Sequence, residues 1–342
     1  MTRAIIAMAA LMYAGLTPAR AADKIPTTIA AFSMPQLASD GYYKRWGRAL
    51  AEAPGTPFDV KLLILGEAGP DEAIFNALRR DRVQLVGVGY ASISTAIPEF
   101  TVLNAPFLFD SWEEVDFVYD NYLIPLLNEL MAANDIIGIR HYGMVWHGVY
   151  GRRPIIEPSD VKKVRFRALV DPASQFMAEI LGGDMIQIAS TEVVTGLQTG
   201  LIDGGETNDL IYLMSGFGAD APHYTLTQHT PSMLGVIANK TWWNRLTPDQ
   251  QTLVRSSYVD AATARAGIRA DGLRELDLAV RTKGVVPHAV SPEARARWKQ
   301  ATLPVHARLI AQAGGRAQEI YDRAMDGKRA FAAKTQSQGP TP

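Results

Sequence analysis

DVKKVRFRALVDPASQFMAEILGGDMIQIASTEVVTGLQTGLIDGGETN, residues 160–208, is the stretch around which the rest of the chain is organised. It opens on Val164-Arg165-Phe166-Arg167-Ala168, in which apolar and basic residues alternate. Period 2 places Val164, Phe166 and Ala168 on one face of a strand and Arg165 and Arg167 on the other. An amphipathic helix is expected from Pro172, then a second strand over Met185–Ile188. A second helix follows, capped by Ser190 or Thr191, with Glu192 in its first turn, and stops at Gly200. The segment ends in what reads as a glycine turn, Asp203 to Asn208. An arginine on a strand and an asparagine closing such a turn are what a site for a small anion needs.

The amino terminus reads as a secretory signal peptide, residues 1–21. Arg3 is its positive start, Ala4–Leu16 its apolar run, and Ala19-Arg20-Ala21 a small-x-small cleavage site. No later stretch reaches ~18 uninterrupted apolar residues, so the exported chain is expected to be periplasmic and soluble. About 320 residues would then remain, more than one hydrophobic core usually serves, so two lobes are expected. The chain has no cysteine. That rules out disulfides, cysteine nucleophiles and thiolate metal sites. Without the leader the net charge is about −3, with no basic stripe, so nucleic acid is not an expected partner. A near-neutral protein cannot gather an anion by its overall field; the site must be built locally.

Thr28–Phe32 reads as a strand, followed by a helix from Asp40 with a stripe through Tyr42, Trp46 and Leu50. Phe58–Leu65 and Val83–Val88 read as buried strands flanking a helix through Ile74, Phe75 and Leu78. This βαβ pattern gives an α/β lobe with a mainly parallel sheet. Gly87-Val88-Gly89 begins like a dinucleotide fingerprint, but Ser92 stands where the third glycine belongs, so a tight turn at a strand end is the better reading. Such strand ends are where open α/β sheets place ligands, which makes Tyr90 a candidate contact. Trp112–Asn134 reads as a long helix with a kink at Pro125, and Ile136–Tyr150 as a long strand crossing between lobes. Thr247-Pro248-Asp249 starts a helix expected to run to about Lys283. The expected division is residues 22–145 for lobe 1, 146–240 for lobe 2, and 241–342 for a spanning helix and a carboxyl-terminal region packed on both lobes.

Five segments carry a family likeness, in order along the chain: PEFTVLNAPFLF (98–109), RRPIIEPSDVKKVRFRA (152–168), STEVVTGLQTGLIDGGETN (190–208), VIANKTWWNRLTPDQQ (236–251) and the late GVVPH. With these, the sequence resembles the dicarboxylate-receptor (DctP-like) solute-binding proteins of tripartite ATP-independent periplasmic (TRAP) transporters. The resemblance implies a two-lobed α/β binding protein, its lobes joined by crossing strands and a long helix, closing by a hinge on its ligand. It implies that the arginine after the Asp160-Val161-Lys162-Lys163 turn, Arg167, takes a ligand carboxylate in two parallel hydrogen bonds. A planar, permanently charged guanidinium matches the two carboxylate oxygens. Arg165 is then the solvated one of the pair, and Asn208 matches the asparagine that helps hold the carboxylate. Many acid-binding members carry a further arginine before the "RPI" turn, and His147 stands there in this chain. A histidine is a weaker, pH-dependent anchor. The expected ligand is therefore a monocarboxylate, aromatic or a keto acid, and the expected partners are the TRAP membrane subunits.

The expected ligand contacts are Arg167, Asn208, Trp146, His147, Glu67, Tyr90, Tyr212, Phe166 and His229. Glu67 resembles an acidic residue that some members turn on ligand hydroxyls or amines. The histidines include the pairs His141/His147 and His223/His229, without a helical i, i+4 spacing or HExxH, so no metal and no cofactor are expected. No GxSxG elbow accompanies the missing cysteines. A receptor and not an enzyme is expected; the alternative is a periplasmic hydrolase or lyase acting on a small carboxylate on the same scaffold.

Overall fold

The computed structural model describes residues 24–54 and 56–337; the expected leader lies outside the described residues. Ten strands are present among the described residues. They are β1 (Ile25–Ala31), β2 (Phe58–Leu63), β3 (Leu85–Gly89), β4 (Ile136–Gly151), β5 (Arg165–Ala168), β6 (Asp184–Gln187), β7 (Gly204–Asn208), β8 (His223–Leu226), β9 (Pro231–Asn239) and β10 (Val286–Ala289). The order β2-β1-β3-β9-β4-β7-β5-β6 runs through both lobes. In the first lobe β1 pairs in parallel with β2 and β3, while β9 is antiparallel between β3 and β4. In the second lobe β5 lies parallel between β6 and β7, and β8 and β10 pair off to the side.

β4 joins the two. Its first residues, Ile136–Trp146, pair with β9, and its last, His147–Gly151, pair with β7. It is mostly buried along its 16 residues, because helices cover it on both faces where it crosses. β9 returns into the first lobe's sheet, so the expected lobe 2, 146–240, ends on a strand paired with β3. Three tertiary details revise the expected elements. The helix expected from Pro248 to about Lys283 is two, Pro248–Ser257 and Ala261–Thr282. Tyr258 turns inward between them, its hydroxyl 2.8 Å from that of Tyr142, and Asp260 restarts the helix by accepting the Thr263 amide at 2.9 Å. The segment from Trp112 is interrupted by a π-helical turn, Tyr119–Leu123, just before Pro125, which absorbs the backbone donor that proline lacks.

The second helix of that pair is the spanning element. At its start Thr263 O accepts the Tyr42 hydroxyl of the first lobe, and toward its end Leu276 and Ala279 enter the second lobe's core with Tyr150 and Tyr212. Arg265 and Arg269 fix it to the first lobe through two-pronged pairs with Asp120 and Asp116. The third revision concerns Asp203–Asn208, expected as a turn and found as β7, a central strand between β4 and β5. Its two glycines answer to close packing. A Cβ on Gly205 would lie 2.6 Å from the carbonyl oxygen of Arg167 and 2.8 Å from its Cβ. Gly205 lets β7 lie against the strand that carries the arginine, and Gly204, whose Cβ would run into Tyr150 O, lets it lie against β4.

Candidate ligand-binding cleft

β5 exposes one arginine and buries the next but one. Arg165 pairs with Asp203 at 2.5 Å and its side chain is 48% exposed, as expected for the solvated member. Arg167 is only 2% exposed. Its Nε donates to Ile188 O at 3.4 Å, one terminal nitrogen to Glu206 O at 3.4 Å, and the other to Ser190 Oγ at 3.0 Å. Three of the guanidinium's five N–H donors are thus engaged, which leaves one on each terminal nitrogen. Among the described residues no carboxylate lies within ion-pair distance of it. Arg167 lines a cleft of about 710 Å³, with Ile188, Ser190 and Thr191 on its own side and Ala91, Ser94 and Thr101 of the first lobe opposite.

Ala91, Leu169 and Asp171 line both this cleft and a smaller inner chamber of about 70 Å³. In the chamber His147 of β4 and His229 turn on Glu206 of β7. His147 Nδ1 lies 2.9 Å and His229 Nε2 3.6 Å from the same oxygen, Glu206 Oε2. Thr227 Oγ1 holds the far nitrogen of His229 at 2.7 Å. Asp171 accepts from Asn104 Nδ2 at 3.3 Å through one oxygen, and its other oxygen is buried with no partner. Burial alone would raise the pKa of Glu206, but the hydrogen bonds from His147 and His229 outweigh it and keep the carboxylate ionised well below its ordinary range. Asp171 has no such partners. Burial, with the nearby Glu206 charge, pushes its pKa up to about 7.

A raised carboxyl pKa favours the folded state most at pH below the ordinary carboxylate value, and that contribution disappears as pH rises through about 7. Asp71 and Asp209, both pushed up to about 6 by burial, act in the same direction. These three aspartates therefore contribute a fall in the melting temperature of the ligand-free protein as pH climbs from the ordinary carboxylate range to neutrality, opposed by buried His141, whose pKa burial lowers to about 4. Asp171→Asn should flatten that fall, measured by melts across a pH series. An unchanged slope in the variant would remove Asp171 from this account.

His147 and His229 line the inner chamber and Arg167 the outer cleft, and Tyr90 lines the inner chamber with its hydroxyl bonded to His141 Nδ1 at 2.8 Å. The other five expected contacts lie elsewhere. Asn208 caps the helix Asp209–Met214, accepting the Ile211 amide at 2.9 Å, and lines a separate cavity with Met34, Leu37 and Val145. Alternation along β4 turns Trp146 away from His147, and it packs on Trp112 with ring centres 4.5 Å apart and the planes tilted by 37°. Tyr212 is stacked on Tyr224 at 4.1 Å in the second lobe's core, and Phe166 is fully buried among Val149, Val164 and Met177. Glu67 is exposed and bonds the Leu65 amide at 2.6 Å. Asn208→Ala should therefore cost about 1 kcal/mol of stability as a lost helix cap. In that variant, ligand affinity measured by calorimetry should stay close to the parent's, and a large loss of affinity would put Asn208 back among the contacts.

Sequence reasoning missed Glu206, Asp171, Asn104 and the role of Ser190, expected as a helix cap and found bonded to Arg167. Only Glu206 left a signal: two residues before Asn208, it shares a strand face with it once the segment is a strand and not a turn.

The fold is thus two-lobed, with Arg167 buried in a cleft and without a carboxylate partner among the described residues. A family model described as bacterial extracellular solute-binding protein, family 7 (DctP), matches residues 35–313, and the chain belongs to that family. It is thus classed with the solute-binding proteins. The chain is 25% identical to the uncharacterized protein YiiZ of Salmonella typhimurium over 62% of its own length and 65% of that relative's, just under two thirds. It is 22% identical to the C4-dicarboxylate-binding periplasmic protein DctP of Rhodobacter capsulatus, over 75% of this chain and 78% of that one. Its fold matches a TRAP periplasmic solute-binding protein of Roseobacter denitrificans, solved with β-D-glucuronate, with a TM-score of 0.80 at 21% identity, covering 88% of this chain and 99% of that one. Among the described residues no helix is long and apolar enough to cross a membrane.

Proposed function

We propose that this protein is the periplasmic receptor of a TRAP transporter, exported on its leader, which captures a small organic acid and delivers it to the membrane subunits for ion-driven uptake. The observation that carries the reading is Arg167: 2% exposed, in a cleft, with no carboxylate partner among the described residues. Leaving a cation buried and unpaired is costly unless something anionic completes it. The two free N–H groups, one on each terminal nitrogen, suit the two oxygens of one carboxylate. Relatives named for C4-dicarboxylates and a fold neighbour holding glucuronate belong to the same chemical class.

The rest of the ligand faces the inner chamber. Asp171, protonated below about pH 7, can donate from its unpartnered oxygen to a keto or carboxyl oxygen. With histidines and no second arginine there, a monocarboxylate bearing a keto or aromatic group fits better than a dianion. Closure of the lobes expels water and strengthens the Arg167 pair by lowering the local dielectric. The test is a thermal-shift screen against an organic-acid library, followed by calorimetry on the hits. One saturable acid, recovered unchanged, supports the reading, and chemical turnover of that acid or the absence of any acid ligand overturns it.

A further inference from the structure

Three side chains from three separate parts of the chain converge in the inner chamber: His147 from β4, Glu206 from β7 and His229 from the segment before β9. One ligand-type atom from each lies within 4.8 Å of the other two. We propose that His147 Nδ1, Glu206 Oε2 and His229 Nε2 form a site for a divalent transition ion, of which zinc is the natural probe. Its open position faces the chamber and takes an oxygen of the bound acid.

The spacing fits. Zinc bonds of ~2.0–2.1 Å in tetrahedral geometry set neighbouring ligand atoms about 3.3 Å apart. The two separations to Glu206 Oε2, 2.9 Å and 3.6 Å, bracket that edge. Two histidines and one carboxylate with a vacant fourth position are the donor set of open zinc sites that bind an exogenous oxygen ligand. The burial fits too. The Glu206 and His229 side chains are 2% and 3% exposed, while His147 retains 14% on the chamber side. His229 is oriented from behind by Thr227 Oγ1 at 2.7 Å, the outer contact that fixes a metal-binding imidazole with its other nitrogen toward the ion. Asp171, held through one oxygen by Asn104, keeps a buried, unpartnered oxygen in the same chamber. That oxygen can share a hydrogen bond with a water on the ion.

The site also explains the histidine at 147. The family resemblance places a second cationic anchor at this position, which an imidazole supplies only weakly, whereas an imidazole with a bound dication supplies it strongly. A keto acid could then bridge the ion and Arg167. That bridging role rests on the proposed receptor function; occupancy by the ion does not.

The test uses the mature chain with any affinity tag removed, stripped by chelator and titrated with zinc by calorimetry, with metal content measured after dialysis. One ion per chain is expected. His229→Ala and Glu206→Gln should each weaken it by at least about 100-fold, and Thr227→Val, one contact further out, by about 10–100-fold. Circular dichroism melts identify any variant that fails to fold, and Thr227→Val keeps the test decisive if the others do. His223 and His288, 2.9 Å apart on the second lobe, are the competing histidine pair. His288→Ala should leave the stoichiometry at one; if it abolishes binding while His229→Ala does not, the proposal is overturned, as it is if no ion is retained. Arg167→Ala should keep the ion and lose the acid, which separates this proposal from the receptor reading. Zinc should tighten acid binding at least about tenfold, and equal acid affinity with and without zinc would overturn the anchoring role.

Discussion

Arg167→Ala is expected to weaken binding of the organic acid by roughly 30-fold to several thousand-fold, with the fold intact. The range follows from the ~2–5 kcal/mol lost when one partner of a buried, hydrogen-bonded charge pair is truncated. Stability should hold because the guanidinium's contacts to Ile188, Glu206 and Ser190 are few, and two of the three are 3.4 Å long. In the ligand-free protein the same change removes a buried, uncompensated cation, so the melting temperature should stay level or rise. Arg167→Lys keeps the charge but loses the two-pronged geometry, so an intermediate affinity is expected. Calorimetry with an acid found in the screen, alongside a thermal melt, checks all three statements. Near-normal affinity in the alanine variant would mean that the carboxylate is held somewhere else.

Gly205→Ala is expected to damage both stability and binding although it adds only a single methyl group. The new Cβ would stand 2.6 Å from Arg167 O and 2.8 Å from both Arg167 Cβ and the Tyr150 hydroxyl. Arg167 and Gly205 are direct partners in the parallel β5–β7 pairing. Two of these three neighbours belong to the adjacent strand, which cannot swing aside as the end of a flexible side chain would. The strand must shift, and overpacking of this kind costs ~1–3 kcal/mol. At about 2–4 °C per kcal/mol for a chain of this size, the melting temperature should fall by roughly 2–12 °C. The strand that moves carries the anchor, so affinity should fall with it. An unchanged melt would show that β5 and β7 have slack at this point.

Much of this arrangement was legible along the chain. The strand Arg165–Ala168, the helix after it and the βαβ pattern of the first lobe follow from local period and capping, which neighbouring residues settle among themselves. The long run from Ile136 declared β4 as a crossing strand. The choice of Arg167 over Arg165 came through the family resemblance, and the structure's contrast between a buried and an exposed arginine agrees with it. What went astray did so for one kind of reason. Asp203–Asn208 has the composition of a turn, and only the flanking strands β4 and β5 make it a strand. Pro248–Lys283 has the pattern of one helix, and it is Tyr258, drawn inward to Tyr142, that divides it.

By itself, then, the sequence determined the class of fold and the strand that carries Arg167, and it supports the expectation of an export signal at its start. These rest on periodicity, caps and motif spacing, each of which acts over a few residues. The tertiary structure alone decided that Asn208 caps a helix, that Trp146 faces away from His147, and that Glu206 gathers His147 and His229 while one oxygen of Asp171 stays without a partner beside them. Residues 147, 171, 206 and 229 meet only when β4, β7 and the approaches to β9 and the helix at Pro172 are packed together. No local preference records which carboxylate will be desolvated beside which imidazole. Burial and convergence are properties of the packed sheet, and the chemistry of the inner chamber arises there.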